Sequence, residues 1–367
     1  TNNLSSLSSF NPTGENVGGQ VRTYDCDTIV QMDKEPQLAP LTLRGIIFDP
    51  PLFCAPMAEI THSAFRRLLS DFGGYGALFT EMLSAKMILR EDLRHSPCLK
   101  RRPQEGKVIY QLMAVDAVRL PEIIDRLAPL KPDGLDLNVA CSAQAVTRQR
   151  GGADLFDDAP RLREILRVMR RGFNGPLTAK IRLGSQAEGW RERLRERLRL
   201  MAGEGVDALT IHPRFQEEKF KRSARHALYA ELAAEARLPI IASGDISGAG
   251  YWRDRAAQFA PAAGVMIGRM AAACPWVFAR WHDPELVVAL AVTWERLCDY
   301  IVEDFEPIQA LIRIKIIAPY FARNFLFGHT FFKAVHSAPA LALARERAAS
   351  FLSRAPGLVR CVGIEGI

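Results

Sequence analysis

Short apolar segments alternate with amphipathic segments along most of the chain. Eight segments from residue 51 onward are almost wholly hydrophobic, which is typical of strands buried on both faces. Successive segments start far enough apart to leave room for a strand, a returning helix and two loops. The predicted strands are Pro51–Ala58, Ala77–Met82, Val108–Met113, Gly134–Ala140, Leu177–Leu183, Ala208–Arg214, Pro239–Ile246 and Gly264–Met270.

The residues between these segments show helical periodicity. In the segment 161–173, Leu162, Ile165, Leu166 and Met169 share one face of a helix. Buried strands that alternate with helices form a parallel sheet, and eight such units close a barrel. The pattern therefore predicts an α/β fold, a (β/α)₈ TIM barrel over residues 41–283.

The strand pattern stops after residue 284. Glu285–Val302, Pro307–Arg323 and Phe332–Ser353 have the apolar stripes of helices and predict a helical C-terminal domain over residues 284–367. Residues 1–40 are polar and punctuated by glycine and proline, which predicts a flexible N-terminal tail. The N-terminus lacks the features of a signal peptide, and no apolar run approaches about 18 residues. We therefore expect no membrane insertion.

The chain carries a surplus of positive charge. Its 48 Lys and Arg residues exceed its 41 Asp and Glu residues, a net charge of +7 that favours a polyanionic partner. The seven cysteines are scattered without a C-x-x-C pair and suggest neither a disulfide framework nor a zinc knuckle. The sequence has no H-E-x-x-H motif or acidic metal cluster, so we expect no metal. These features favour a cytoplasmic protein.

Seven of the eight predicted strands end in polar or charged side chains. In a TIM barrel the carboxyl ends of the strands form the mouth of the active site, so these side chains are expected to converge on one pocket. They are Glu81, Gln111, Asn138, Lys180 with Arg182, His212 with Arg214, Asp245, and Arg269.

Two glycine-containing strand ends predict a phosphate-binding cradle. Gly244-Asp245 follows the seventh predicted strand and Gly268-Arg269 follows the eighth, where barrels of this type commonly bind a phosphate through backbone N–H groups. Arg269 would supply the cation. A phosphate-anchored cofactor beside hydrogen-bonding groups suits FMN, whose ring needs donors near N1 and O2. Gln111, Lys180 and His212 are the candidate donors.

Cys141 lies one residue beyond the fourth predicted strand, on a loop that ends in Gly151-Gly152. A cysteine thiol is mostly protonated at neutral pH and can donate a proton. Cys141 is therefore a candidate general acid at the barrel mouth. We interpret Cys54, Cys274 and Cys298 as small buried apolar residues.

The motifs together resemble those of the tRNA-dihydrouridine synthases. The resemblance runs in order from about residue 52 to about residue 280, and Phe327-Gly328-His329 in the helical tail is similar to the RNA-binding domain of that family. The matching residues are Ala55-Pro56-Met57, Thr61, Phe65-Arg66, Thr80-Glu81-Met82, Gln111, Asp136-Leu137-Asn138, Cys141, Gly151-Gly152-Ala153, Lys180-Ile181-Arg182-Leu183-Gly184, His212, Arg214, Gly244-Asp245, Met266-Ile267-Gly268-Arg269 and Pro275-Trp276.

The resemblance implies an FMN enzyme that reduces the C5–C6 bond of uridine in tRNA, with NADPH as the reductant. Reduced FMN would pass a hydride to C6 of the base, and Cys141 would protonate C5. Asn138 and Arg182 would orient the uracil. Ser142 and Ser243 stand where the family usually has proline and asparagine. The implied FMN-binding residues are Pro56, Met57, Gln111, Lys180, His212, Gly244, Asp245, Gly268 and Arg269.

A cluster of cations follows the sixth predicted strand and is expected to contact RNA phosphates. The cluster comprises Lys219, Lys221, Arg222 and Arg225. Of these, Lys219, Lys221 and Arg222 are candidate substrate-binding residues, together with Arg214 at the strand end. The arginines of the segment 191–199 alternate with glutamates, which instead favours a salt-bridged helix surface. The expected partner is tRNA or another structured RNA, bound by a monomer. An FMN enzyme acting on a small molecule and an RNA-binding protein without catalysis stay open as alternatives.

Overall fold

Eight parallel strands close into a barrel at the centre of the structure, a computed structural model that describes residues 38–364. Each strand pairs with the next along the chain, and the last strand pairs with the first. The predicted TIM barrel is therefore confirmed. The barrel strands are β3 (Leu52–Cys54), β4 (Ala77–Ser84), β5 (Val108–Met113), β6 (Gly134–Val139), β7 (Leu177–Ile181), β8 (Ala208–Ile211), β9 (Ile240–Ser243) and β10 (Gly264–Ile267).

Helices surround the barrel and cover its outer face. Their apolar residues pack against the outward-facing strand residues, as Leu162, Ile165 and Met169 do in the helix predicted over residues 161–173. The helices of the barrel are α1 (Ser63–Phe72), α2 (Ala85–Arg90), α3 (Leu120–Leu127), α4 (Gln144–Thr147), α5 (Ala153–Asp157), α6 (Ala159–Gly172), α7 (Trp190–Gly203), α8 (Tyr229–Ala236), α9 (Ala249–Arg253), α10 (Ala256–Phe259), α11 (Arg269–Ala273) and α12 (Ala279–His282). Short 3₁₀ helices span Pro103–Glu105, Ala128–Leu130, His226–Leu228 and Ala322–Asn324.

An antiparallel hairpin closes the amino-terminal end of the barrel. Its strands, β1 (Leu41–Leu43) and β2 (Ile46–Phe48), are joined by Arg44 and Gly45, which both have positive φ as a tight hairpin turn requires. Leu41, Leu43 and Phe48 pack into the interior of the barrel against residues from the strand starts, including Phe53. The sequence analysis missed this hairpin because strands of three residues are too short to show a period.

Four further helices form the C-terminal segment: α13 (Leu290–Asp304), α14 (Pro307–Phe321), α15 (Gly328–His336) and α16 (Leu341–Leu352). The prediction of one helix over Phe332–Ser353 is wrong, because the helix is interrupted between α15 and α16. Pro339 lies in this interruption, and proline lacks an N–H and fixes φ. The predicted helix start at Glu285 is also wrong, since α13 begins at Leu290.

The C-terminal helices pack directly on the barrel. Helix α13 lies against α1 and α14 lies against α11. The carboxylate of Asp304 is fully buried at this joint, where it accepts hydrogen bonds from Lys100 Nζ and Arg102 Nη2, both at 2.5 Å. Of the predicted N-terminal tail, residues 1–37 lie outside the described residues.

The arginine-rich helix α7 has the salt-bridged surface that its sequence predicts. Arg191 and Arg195 lie within 3.6 Å of Glu231, and Arg199 lies 3.2 Å from Glu235. Exposed pairs of this kind add little stability, but they neutralise the charge of this helix. The surface of α7 is therefore not a concentration of free cations.

The thiols of Cys54, Cys98, Cys141, Cys274 and Cys298 are free. Cys361 is disulfide-bonded, a departure from what the scattered cysteines suggested. Across residues 38–364, no helix combines the length and the apolar character needed to cross a membrane. In the same part of the chain, no three His, Cys, Asp or Glu side chains are grouped so as to hold a metal ion.

Candidate active site

A cavity of about 280 Å³ opens at the carboxyl ends of the barrel strands. Its walls come from most of the strand ends and from the loops that follow them. Most of the predicted site residues therefore share one cavity although they are far apart in the sequence. Those that line it are Pro56, Met57, Gln111, Asn138, Cys141, Lys180, Arg182, His212, Gly244, Asp245, Gly268 and Arg269.

Gly244 and Gly268 form part of the cavity wall where a side chain would not fit easily. Gly244 has a φ of +100°, and a Cβ atom there would lie 2.5 Å from Cδ2 of His212. A Cβ atom at Gly268 would lie 3.3 Å from Cβ of Ala55. Glycine at Gly244 is needed both for its backbone conformation and for the space beside His212.

Asp245 joins two of the predicted cationic residues. Its Oδ1 accepts a hydrogen bond from Arg269 Nη2 at 2.9 Å, and its Oδ2 accepts one from Arg214 Nη2 at 2.7 Å. Arg269 also donates to the backbone carbonyl of Ile364 at 3.0 Å. The side chain of Arg269 is thus held at the cavity wall by a carboxylate and by the C-terminal segment.

His212 is a neutral imidazole in this site. Burial, and then the positive charges of Lys180 and of the nearby arginines, hold its pKa well below the ordinary value. Arg214 Nη1 lies 3.1 Å from His212 Nε2, and because a guanidinium can only donate, Nε2 is the acceptor. The ring proton of His212 therefore resides on Nδ1, which is a hydrogen-bond donor.

Lys180 projects from β7 into the same cavity. Burial, and to a smaller extent the charge of Arg182, lowers the pKa of Lys180 to about 8. Asp136 and Cys141 act in the opposite direction. At neutral pH the side chain is still an ammonium group. Within residues 38–364 this ammonium has no hydrogen-bond partner, so it is available to a ligand.

A chain of side-chain hydrogen bonds runs from the barrel interior to the Cys141 loop. Gln111 Nε2 donates to Asp136 Oδ2 at 2.7 Å, and Asn138 Nδ2 donates to Gln111 Oε1 at 2.7 Å. Asn138 Oδ1 then accepts from the backbone N–H of Ala140 at 3.1 Å and of Cys141 at 3.0 Å. Burial raises the pKa of Asp136 to about 6, and its hydrogen bonds act in the opposite direction. Because this value is still below 7, the carboxyl is mostly ionised at neutral pH.

The Cys141 loop folds back on itself. The backbone N–H of Ala153 donates to the carbonyl of Cys141 at 2.9 Å. Gly152 has a φ of +58°, and a Cβ atom there would lie 2.5 Å from that same carbonyl oxygen. The two ends of the predicted loop are therefore closed by a contact that only glycine permits.

Two buried arginines hold the loop after β8 through its backbone carbonyls. Arg182 Nη1 donates to the backbone carbonyls of Phe215 and Lys219, at 3.3 and 3.0 Å. Arg214 donates through Nε to the carbonyl of Arg222. Arg214 is buried behind His212 and does not line the cavity, whereas Arg182 both supports the loop and lines the cavity.

The same loop carries three exposed cations on the rim of the cavity. The side chains of Lys219, Lys221 and Arg222 are exposed and form no ion pair within the described residues, although they do not line the cavity itself. Arg225, which belongs to the same predicted cluster, instead forms an ion pair with Glu218 at 2.5 Å.

Glu81, which the sequence placed at a strand end, and Arg313 on α14 take structural roles. Glu81 is buried and accepts from the backbone N–H of Glu59 at 2.6 Å, and burial raises its pKa, but it does not line the cavity. Arg313 is mostly buried and lies 3.4 Å from Glu59, so it holds the C-terminal helices against the barrel mouth.

Two residues of the site were given no role from the sequence. Asp136 lies two residues before Asn138 on the same face of β6, and the period of a strand could have revealed it. Phe220 lines the cavity although half of its surface is exposed, and its ring centroid lies 4.6 Å from the guanidinium carbon of Arg269 and 5.4 Å from that of Arg182. Only the folded loop brings this ring over the arginines.

Comparisons with known proteins agree with the motifs. The family model described as Dihydrouridine synthase (Dus) matches residues 53–304. A protein of Aquifex aeolicus named "Probable tRNA-dihydrouridine synthase" is 32% identical over 258 residues, which cover 68% of this chain and 77% of the relative.

Two further relatives have similar names. "tRNA-dihydrouridine(16) synthase" of Cupriavidus necator is 31% identical over 238 residues, covering 62% of this chain and 72% of the relative. "tRNA-dihydrouridine synthase B" of Pasteurella multocida is 27% identical over 227 residues, covering 62% and 67%. The matched region contains all of the barrel strands apart from Leu52, and every cavity-lining residue named above. The family predicted from the motifs is thus confirmed, and the chain belongs to the dihydrouridine synthase family.

Proposed function

We propose that this protein reduces the C5–C6 bond of uridine in tRNA to give dihydrouridine, with FMN as its cofactor and NADPH as the electron donor. The observation that carries the proposal is the meeting of Cys141, Lys180 and two glycine-containing strand ends in one cavity. Membership of the family and the names of the relatives support the same activity. Action as a monomer in the cytoplasm stays a prediction.

The cavity residues fit FMN. A phosphate group needs a close approach to the backbone and a nearby cation, which Gly244, Gly268 and Arg269 offer. A flavin ring that becomes anionic needs donors, and the Lys180 ammonium and the Nδ1–H of His212 have no partner within the described residues. A Cβ atom at Gly244 would occupy the space beside His212.

Each binding residue has a defined task in this proposal. When bound, FMN supplies the hydride that reduces the base and is itself reduced again by NADPH. Asp245 holds Arg269 at the cavity wall. The remaining assignments are Gln111, Lys180 and His212 at the ring, Gly244, Gly268 and Arg269 at the phosphate, and Pro56 and Met57 at the adjoining wall.

Cys141 donates the proton that the reduced base needs at C5. Its thiol is free, its side chain is partly exposed at the cavity, and its backbone is fixed by Asn138 and by Ala153. Loss of the proton leaves a thiolate, and the Lys180 ammonium lies near it. Asn138 and Arg182 have remaining N–H groups at the same wall and would orient the uracil.

The rim of the cavity suits a base delivered from folded RNA. Reduction of a base in a structured RNA requires that the base leave its stack and that the protein hold the flanking phosphates. Lys219, Lys221 and Arg222 supply cations that form no ion pair among residues 38–364, and Phe220 offers an aromatic face to an extruded base. A small substrate would not need these groups, which favours RNA over a free metabolite.

Purified protein should be yellow and should form dihydrouridine in tRNA when NADPH is supplied. In Cys141→Ala, bound flavin and NADPH oxidation should persist while dihydrouridine formation falls by about 10²–10⁴-fold, the usual contribution of a general acid. Cys98→Ala is the matched control, because Cys98 is also a partly exposed free thiol but does not line the cavity.

Three results would contradict the proposal in different ways. Dihydrouridine formation at the parent rate in Cys141→Ala would assign the proton to another group. Reduction of free uridine as fast as tRNA would indicate a small-molecule oxidoreductase. Colourless protein that binds tRNA but no flavin would indicate an RNA-binding protein without catalysis.

A further inference from the structure

We propose that Asp136 is a positioning residue for Cys141 and that it acts through the side-chain amides of Gln111 and Asn138. This role deepens the proposed function, on which it rests for the importance of Cys141. The connection runs from the interior of β6 across to β5 and back to the loop that follows β6.

The chemistry at the two ends of this chain of hydrogen bonds gives it one direction. An ionised carboxylate such as Asp136 can only accept, whereas the backbone N–H groups of Ala140 and Cys141 can only donate. The amides of Gln111 and Asn138 lie between them, and each could in principle be turned to exchange its oxygen and nitrogen. Only one combination of orientations satisfies both ends.

Reversal of either amide would place two donors or two acceptors face to face. If Gln111 turned, its Oε1 would face the carboxylate of Asp136 and its Nε2 would face Nδ2 of Asn138. If Asn138 turned, its Nδ2 would face the N–H of Cys141, and the turn that fixes Cys141 would open. The carboxylate of Asp136 therefore opposes reversal from one end, as the N–H groups of the loop do from the other, and through both amides it supports the backbone at Cys141.

Both oxygens of Asp136 accept hydrogen bonds. Its second oxygen, Oδ1, accepts a hydrogen bond from Thr178 Oγ1 at 2.6 Å, and the residue is fully buried. Gln111 and Asn138 also line the cavity. The orientation of their amides therefore fixes which of their remaining N–H and C=O groups face a ligand. The carboxylate thus determines the hydrogen-bonding pattern of the wall without touching the substrate.

Asp136→Asn tests this role because it keeps the shape and removes the direction. The new amide can donate to Gln111 as well as accept from it, so only the N–H groups of Ala140 and Cys141 then oppose a turn of the two following amides. In the protein without added ligand, we expect the backbone amide of Cys141 to exchange its hydrogen about tenfold faster, as for a lost hydrogen bond. Alkylation of Cys141 by iodoacetamide, compared with the parent by mass spectrometry, should change by a similar factor.

A double variant supplies the rescue. Combining Asp136→Asn with Gln111→Glu moves the carboxylate by one position along the chain of hydrogen bonds. The new carboxylate accepts from the amide introduced at position 136 on one side and from Asn138 on the other, which restores the original direction toward Cys141. Exchange and alkylation at Cys141 should return to within about twofold of the parent.

Thr178→Val is the matched control. It removes a hydrogen bond to the same carboxylate without changing the direction of the chain that leads to Cys141. Exchange and alkylation at Cys141 should therefore be the same in this variant as in the parent.

Parent-like exchange at Cys141 in a folded Asp136→Asn protein would overturn the proposal. So would a folded double variant that behaves like Asp136→Asn. If Asp136→Asn does not fold, Gln111→Leu removes the middle of the chain at similar volume, and unchanged exchange at Cys141 there would also refute the role. These measurements need no catalysis, so they can fail while the proposed function holds, and the converse is also possible.

Discussion

Gly244→Ala is the substitution for which the structure predicts the clearest loss. The new methyl group would lie 2.5 Å from Cδ2 and 2.8 Å from Nε2 of His212, both closer than non-bonded atoms allow. His212 cannot move away freely, because it is buried and accepts a hydrogen bond from Arg214 at 3.1 Å. The backbone at Gly244, with a φ of +100°, is also one that alanine rarely adopts.

The magnitude follows from these two effects. Overpacking costs about 1–3 kcal/mol, and a strained backbone costs about 1–3 kcal/mol, so the free energy of unfolding should fall by about 2–6 kcal/mol. With an unfolding entropy of about 2.1 cal/mol/K per residue, this corresponds to a melting temperature lower by roughly 3–8 °C. Displacement of His212 should also weaken FMN binding about tenfold or more.

Calorimetry and a flavin fluorescence titration would measure the two effects. Gly250→Ala is the matched control, because Gly250 lies in helix α9 and a Cβ atom there has no heavy atom within 4 Å. That variant should be as stable as the parent or more stable by up to about 1 kcal/mol. A Gly244→Ala protein that melts with the parent and binds FMN equally well would refute the steric argument.

Two further predictions concern charge. Lys180→Met should weaken FMN binding at neutral pH and remove the pH dependence of that binding. Since the pKa of Lys180 is about 8, the parent should bind FMN with its full affinity below that pH, and the affinity should fall by up to tenfold per pH unit above it. Fluorescence titrations between neutral and mildly alkaline pH check this, and a parent affinity that is flat across that range would contradict it. Replacement of Lys219, Lys221 and Arg222 together by alanine should make the fall of log tRNA affinity with log salt concentration less steep, by about 2–3 in the slope. An unchanged slope would place the phosphate contacts elsewhere.

The sequence by itself determined the barrel and most of the chemistry of its mouth. Strands buried on both faces leave a continuous apolar signal, and the carboxyl ends of parallel strands must gather at one end of the barrel. Residues such as Lys180 and His212 could therefore be assigned to one site without coordinates. The motifs around Cys141 and Gly268 also sufficed to indicate the family, which the family comparison confirms.

Only the tertiary structure decided which atoms meet. Asp136 is joined to Cys141 by amides from two strands, and Phe220 lies over arginines from two other strand ends. Neither contact is local in the sequence, so no periodicity encodes it. The hairpin at Leu41–Phe48 and the break near Pro339 were missed for a related reason: segments of a few residues take their conformation from what they pack against.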